Sequence, residues 1–124
     1  MIYSDEIATS TSASTTYVAM TGSPYSPLKS GKLRKLILGA SGDAVTSIVE
    51  KVVVQLTCPL WGVPVTVSLD GANIRTAPAQ AIPQAEMVCD VPVQTGVQIT
   101  IQIKNETGAT PTTPRYNLLG IFEG

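Results

Sequence analysis

Histidine is absent from this chain of 124 residues, which has only two cysteines, one phenylalanine and one tryptophan. Without histidine a Ser-His-Asp triad cannot form, and two distant cysteines cannot supply the four ligands of a structural zinc site. The sequence also has no glycine-rich phosphate loop and no D-x-D-x-D-G run for calcium. We therefore expect no catalytic residues, no metal site and no cofactor, and we expect that the protein is not an enzyme.

Charge is scarce as well. Charged residues make up 14% of the chain and the net charge is −1, whereas soluble domains carry roughly 25% charged residues. No global field would draw such a protein onto nucleic acid or an anionic membrane. No apolar stretch reaches the ~18 residues that a spanning helix needs. The N-terminus lacks the basic and apolar regions of a secretory signal. We expect neither nucleic acid nor a membrane among its partners, and synthesis in a cytosol.

The basic residues are unevenly spread. Four of the eight lie close together, at Lys29, Lys32, Arg34 and Lys35. Such a run either contacts an acidic partner or belongs to a solvated strand edge, where lysine discourages unwanted pairing.

The two cysteines, Cys58 and Cys89, each sit in an apolar strand context, L-T-C-P-L and M-V-C-D-V. Two buried free thiols that behave as small hydrophobic groups fit these contexts. A disulfide between them fits as well, and the sequence leaves both open.

What the chain does have is alternation. Residues 97–104 read V-Q-I-T-I-Q-I-K, and successive side chains of a strand point to opposite faces. Val97, Ile99, Ile101 and Ile103 therefore share one face, which no helix could achieve. The same period of two recurs in Ile48–Cys58 and Pro64–Leu69, so the sequence predicts an all-β protein.

About eight strands are predicted, at the 8–12-residue spacing seen in β-sandwiches. Asp70-Gly71 is typical of a hairpin turn. Lys32–Ala40 does not alternate cleanly, which predicts a bulge or burial on both sides. We predict a two-sheet antiparallel sandwich, a jelly roll of about eight strands, with an immunoglobulin-like sandwich as the alternative. The predicted strands are Thr15–Met20, Lys32–Ala40, Ile48–Cys58, Pro64–Leu69, Ala72–Arg75, Ala85–Val91, Val97–Lys104 and Arg115–Phe122.

Residues 1–14 are rich in Ser, Thr and Ala and are predicted to form an extended N-terminal arm, with residues 15–124 forming the single sandwich domain. Such an arm either lies along a neighbouring subunit or frays. Candidate contact residues are Tyr3 in the arm and Tyr25, Trp61 and Pro78 in loops. For Trp61 a second interpretation stays open, in which it folds over one end of the sandwich.

The order of the segments resembles a known group of proteins. A polar arm is followed by Y-V-A-M-T-G-S, then G-K-L-R-K-L-I-L-G-A-S-G, then I-V-E-K-V-V-V-Q-L-T. The chain terminates on the strand of T-G-A-T-P-T-T-P-R-Y-N-L-L-G-I-F-E-G. This layout resembles the small single-jelly-roll proteins of virus and phage heads, including the decoration (cement) proteins and minor capsid proteins.

The resemblance implies a structural virion protein of a virus or bacteriophage, made in the host cytoplasm and assembled on a shell. Its expected partners are copies of itself, in a homotrimer or another closed oligomer, and the major capsid protein. Asp5 and Glu6 make the arm acidic, whereas coat proteins that package a genome often have a basic arm, so the outside of the shell is favoured. The alternatives are a carbohydrate- or receptor-binding β-sandwich module with Trp61 in its site, and an immunoglobulin-like accessory domain.

Overall fold

A computed structural model describes residues 1–10, 14–41, 51–70, 84–106 and 115–124. Over these residues all regular secondary structure is β. No helix in the described residues is long and apolar enough to cross a bilayer. The strands are β1 (Ile2–Ser10), β2 (Val18–Ala19), β3 (Gly31–Ser41), β4 (Lys51–Thr57), β5 (Val65–Asp70), β6 (Gln84–Val93), β7 (Thr100–Asn105) and β8 (Arg115–Glu123).

The strands form two antiparallel sheets of four. The first sheet has the order β1-β8-β3-β6 and the second the order β2-β7-β4-β5. Among the described strands, successive strands lie in different sheets at almost every connection, and only β4 and β5 are neighbours both in sequence and in a sheet. This is the order of an eight-stranded jelly roll, so the predicted fold is confirmed. The immunoglobulin-like alternative is wrong, because that fold pairs the first two strands in one sheet.

The core lies between the two sheets and follows the predicted alternation. Ile99, Ile101 and Ile103 are fully buried, and Val97 packs against the core from a partly exposed position. The inward residues of the neighbouring strands behave in the same way. They are Val52, Val54 and Leu56 on β4 and Val65, Val67 and Leu69 on β5.

Strand β3 contains the predicted bulge. Its register with both β6 and β8 shifts between Leu33 and Lys35. The shift changes the parity of the strand, so that Leu33, Leu36 and Leu38 all point inward and are fully buried.

Residues 2–10, expected in an extended arm outside the sandwich, are extended but form β1. This strand pairs with β8 from Ile2, opposite Glu123, to Ser10, opposite Tyr116. Ile7 and Ala8 flank a register shift and are both buried. The segment is therefore a strand although its apolar periodicity is weak. A bulge interrupts the alternation of its side chains, and β8 supplies its hydrogen bonds.

The remaining strands differ from the predictions mainly at their ends. Strand β2 is only Val18–Ala19, and β7 starts at Thr100 with Ile99 in an isolated bridge to Tyr25. The predicted strand Ala72–Arg75, the Asp70-Gly71 turn and the beginning of Ile48–Cys58 involve positions outside the described residues.

Candidate interaction surface

The two tyrosines predicted as contact residues come together inside the protein. Tyr3 stacks on Phe122 with a centroid distance of 5.3 Å, and Tyr25 stacks on the same ring at 5.8 Å. Phe122 is fully buried, and both tyrosines are partly buried. A Cβ at Gly120 would lie 2.7 Å from the Phe122 ring, so the glycine makes room for this aromatic cluster. Tyr3 and Tyr25 therefore fill the sandwich in the monomer.

The Tyr25 hydroxyl binds the acidic N-terminal segment. It donates a hydrogen bond of 2.7 Å to Oδ2 of Asp5. Burial, followed by this hydrogen bond and the charge of Asp5, raises the pKa of Tyr25 well above its ordinary value. The hydroxyl of Tyr3 is buried and has no hydrogen-bond partner among the described residues.

Trp61 lies elsewhere, in the loop between β4 and β5. Its indole Nε1–H donates a hydrogen bond of 2.7 Å to the carbonyl of Pro92 on β6. The ring is half-buried and packs against the core. Trp61 thus connects the two sheets at one end of the sandwich, which agrees with the interpretation that it folds over that end. The rest of its surface lines a groove.

The groove has a volume of about 390 Å³ and runs between two stretches of chain, residues 60–66 and 87–92. It lies beside β5 and β6, which are each the last strand of their sheet. Val63 and Val88 are 74% and 75% exposed, and Leu60 and Met87 are also exposed. The other large apolar side chains exposed in the described part of the chain are Met1, Ile2 and Leu28.

The lining of the groove carries no ionised side chain. Its polar side chains are few, and two of them already have partners. The Trp61 N–H is bound to Pro92, and the Cys89 thiol lies 3.5 Å from the carbonyl of Leu33. Burial raises the pKa of the Cys89 thiol. The groove therefore offers apolar contact area and little hydrogen-bonding capacity beyond Thr66.

Both cysteines are free thiols, Cys58 buried and Cys89 partly exposed. The structure therefore has the free thiols that were one of the two predicted interpretations, and no disulfide joins them.

Lys32, Arg34 and Lys35 lie on β3, which is an internal strand between β8 and β6, and Lys29 lies in the loop before it. The interpretation as a strand edge is therefore wrong. The charges on β3 are paired with carboxylates on β6: Arg34 lies 3.0 Å from Asp90 and Lys35 lies 2.9 Å from Glu86. Lys32 reaches Asp90 at 3.9 Å, so this face is close to neutral.

One spacing escaped the sequence analysis. Ser26-Pro27-Leu28-Lys29 fits the S-x-x-K spacing of serine–lysine nucleophiles. Both Ser26 and Lys29 are exposed in a loop, and Lys29 Nζ lies 6.0 Å from the centre of the Tyr3 ring. In the part of the chain that the structure describes, no hydrogen bond joins the two side chains.

Pro78, the fourth predicted contact residue, lies outside the described residues. The sequence analysis missed the exposed apolar residues Val63, Met87 and Val88. Met87 pairs with the buried Leu36 and so belongs to the inner side of β6. It is nevertheless exposed because β6 ends its sheet. Across the described ranges, no three His, Cys, Asp or Glu side chains are grouped so that they could hold a metal ion.

The fold and this surface define the chain as a jelly-roll β-sandwich with an apolar groove at one edge. No protein-family model matches the chain, and no curated protein is detectably similar to it in sequence.

Proposed function

We propose that the protein is a structural virion component, a capsid decoration protein or minor capsid protein, that works by protein–protein contacts. Its partners would be copies of itself in a closed oligomer and the major capsid protein of the shell. It would be made in the host cytoplasm and would do its work on the virion.

The strand order is the observation that carries the proposal. Eight-stranded jelly rolls with two sheets packed face to face recur in viral capsid proteins, although lectins and cupins also have this fold. The order β1-β8-β3-β6 and β2-β7-β4-β5 agrees with the resemblance in the sequence layout.

The chemistry of the surface supports the same proposal. The lining of the groove is uncharged and apolar, and contiguous exposed apolar surface in a folded protein commonly marks a contact site. Three of the four residues in the basic run, Lys32, Arg34 and Lys35, are already paired with Asp90 and Glu86, which leaves the run little free charge for an acidic partner. Together these features favour contact through buried apolar area.

Mass in solution tests the proposal. Size exclusion with light scattering over a wide concentration range should show a discrete mass that is a multiple of the 13.0 kDa chain. Electron microscopy of the concentrated protein should show closed rings or a regular lattice. A protein that stays at the mass of one chain and does not sediment with viral shells would refute the proposal.

The position of Trp61 in the groove favours a second candidate, a carbohydrate- or receptor-binding module, because aromatic faces bind sugars and proteins. Sugar recognition also needs hydrogen-bonding groups, and the indole N–H is already bound to Pro92. Titration with a glycan library decides between the two. Quenching of Trp61 fluorescence by a glycan in a strictly monomeric protein would establish the second candidate.

A further inference from the structure

We propose that β6 is the assembly strand, and that it pairs with β6 of a second copy in an antiparallel, two-fold symmetric contact. This inference rests on the proposed function and names the surface and the partner through which the chain would self-associate. The first sheet would then continue across two copies, and the two grooves would cover each other.

The first reason is the position of β6. It ends its sheet, with β3 on one side and no strand on the other within the part of the chain that the structure describes. The backbone N–H and C=O groups on an outer side can pair with another chain. The bulge at Asp90, whose φ is 51°, and Pro92 interrupt the far half of the strand. The stretch that can accept a partner is therefore residues 84–89.

The second reason is the chemistry beside this edge. Met87 and Val88 are exposed there, and Val63 is exposed across the groove. An occupant that offers charge would lose hydration without finding a partner, because the lining has no ionised group. A second copy offers the same uncharged, apolar surface, so the two surfaces match without like-charge repulsion between their linings.

The pleat and the charges select one register. Met87 pairs with the buried Leu36 and so belongs to the inner face, whereas Val88 pairs with Lys35 on the outer face. Residues directly opposite in an antiparallel pair share a face. At the centre of a two-fold symmetric pair, a residue lies opposite the same residue of the second copy. The two-fold axis, perpendicular to the sheet, therefore passes between these two residues.

Near the centre of residues 84–89, the axis can pass beside Glu86, Met87 or Val88. Glu86 on the axis would face its own copy, and Val88 on the axis would set Glu86 against Asp90 of the other chain. Met87 on the axis avoids both like-charge pairs. It sets Glu86 opposite Val88 and Ala85 opposite Cys89, and it places the two methionines over the grooves.

The other outer strand of this sheet, β1, is a poorer candidate. Its sequence, I-Y-S-D-E-I-A-T-S, has two acidic residues and no basic residue. Glu6 is exposed, and no ion pair to it is formed within the described residues. Pairing β1 with β6 of another copy would bring Glu6 towards an edge that carries Glu86 and Asp90.

A contact of one short strand and one groove is small. Interfaces below ~1,200 Å² are typically weak or transient, so we expect dissociation constants in the micromolar to millimolar range. Weak contacts of this kind become effective when many copies are held on one lattice, which is the setting that the proposed function supplies.

A matched pair of substitutions tests the contact. Val88→Glu places a carboxylate opposite Glu86 of the second copy twice in the dimer, whereas Val88→Lys places an ammonium group there. Sedimentation equilibrium should show that the wild type dimerises, that Val88→Glu weakens dimerisation roughly tenfold, and that Val88→Lys stays close to the wild type. Trp61 lines the groove, so its emission should change with concentration in step with the mass.

A cross-link tests the register independently. Opposed Cα atoms in an antiparallel pair lie ~4.5–5.5 Å apart, within the range of a disulfide. In a Cys89→Ser background, Met87→Cys should therefore form a disulfide-linked dimer under mild oxidation. The control Gln98→Cys, an exposed position away from β6, should not.

The outcomes separate this inference from the proposed function. Oligomers that ignore Val88→Glu and lack the Met87 cross-link would overturn pairing through β6 and leave assembly by another surface. A wild-type chain that remains monomeric up to ~1 mM would overturn the self-contact, while binding to a viral shell would still support the proposed function. Equal weakening by Val88→Glu and Val88→Lys would overturn the register.

Discussion

At the scale of single residues, burial follows the alternation of the sequence on the central strands. On β7, Ile101 is fully buried between the sheets, whereas Gln102 lies on the outer face and pairs with Gln55. Adjacent positions therefore lie in different environments, one in the apolar core and one at the outer surface, although they share one strand and the same hydrogen-bond ladder.

This difference gives a matched test. Ile101→Asp should abolish cooperative folding, because a carboxylate without a partner would be buried in the core. Gln102→Asp should cost less than ~1 kcal/mol, since its side chain stays at the outer surface. Urea unfolding followed by circular dichroism measures both variants. Similar losses in the two would mean that the faces of β7 are wrongly assigned.

The hydrogen bond between Tyr25 and Asp5 predicts a dependence on alkaline pH. The raised pKa of Tyr25 means that the unfolded chain loses this proton near pH 10, while the folded chain retains it. The contribution of Tyr25 to the free energy of unfolding is therefore complete below about pH 10 and declines as the pH rises towards the folded-state pKa.

Tyr25→Phe is the test of this effect. The variant should be less stable than the wild type by ~1–3 kcal/mol at pH 8, because Asp5 loses a hydrogen-bond donor in a partly buried site. Urea midpoints at increasing pH should show this difference shrinking above about pH 10. A difference that stays constant or widens there would contradict the proposed linkage.

At the scale of elements, the edge strand β6 is shaped by a bulge that sequence patterns do not reveal. Cys89 and Asp90 stand opposite the single residue Arg34, between the pairs Leu33–Val91 and Lys35–Val88. Asp90 takes up the extra residue at a φ of 51°, a region that aspartate tolerates and β-branched residues avoid. Its carboxylate is held 3.0 Å from Arg34.

Substitutions at Asp90 should separate backbone strain from charge. Asp90→Val should destabilise the protein by ~1–3 kcal/mol, because a β-branched residue is strained in the left-handed region. Asp90→Gly removes the same ion pair but fits the backbone, and partly exposed pairs contribute only ~0–1 kcal/mol, so its effect should be small. Thermal unfolding compares them. Equal losses would show that the ion pair, and not the backbone, sets the requirement.

Strand β1 gives a second prediction for an element. It pairs with β8 over most of its length and buries Ile7 and Ala8. Deleting residues 1–10 should therefore lower the stability of the sandwich itself, in addition to any effect on assembly. The melting temperature of the shortened chain measures this. An unchanged melting temperature together with weaker oligomerisation would show that the segment acts as an arm that contacts a neighbouring subunit.

At the scale of the whole molecule, the jelly-roll topology ties the two ends of the chain together. Strand β8 lies between β1 and β3, and the backbone N–H of Gly124 donates to the carbonyl of Met1 at 3.0 Å. The first sheet therefore cannot be completed before the last residues are in place. Folding dominated by such distant pairings is slow, in the range of milliseconds to seconds.

A chain that lacks residues 115–124 should consequently show no cooperative unfolding transition. Its loss removes an internal strand with buried Tyr116, Leu118 and Phe122, whereas loss of β1 removes only an outer strand. Circular dichroism and calorimetry should show that the chain without residues 115–124 loses more stability than the chain without residues 1–10. A cooperative transition in the chain without β8 would contradict the assigned topology.

On the central strands, the sequence by itself determined which residues are β and which faces point inward, because the alternation of side chains is a property of the local backbone. Val52, Val54 and Ile101 needed no knowledge of their neighbours to be placed in the core. The bulge in β3 was also readable, since its apolar residues break the period of two.

Only the tertiary structure decided which strands became edges and which distant residues met. Tyr3 meets Phe122 because β1 and β8 pair, whereas Tyr25 reaches the same ring from a segment that bridges to Ile99. Both contacts depend on the order of the strands. Met87 has the pattern of a core residue but is exposed, because no strand lies beyond β6 in the part of the chain that is described. Local pattern sets the face of a side chain, whereas its burial depends on what the fold places in front of it.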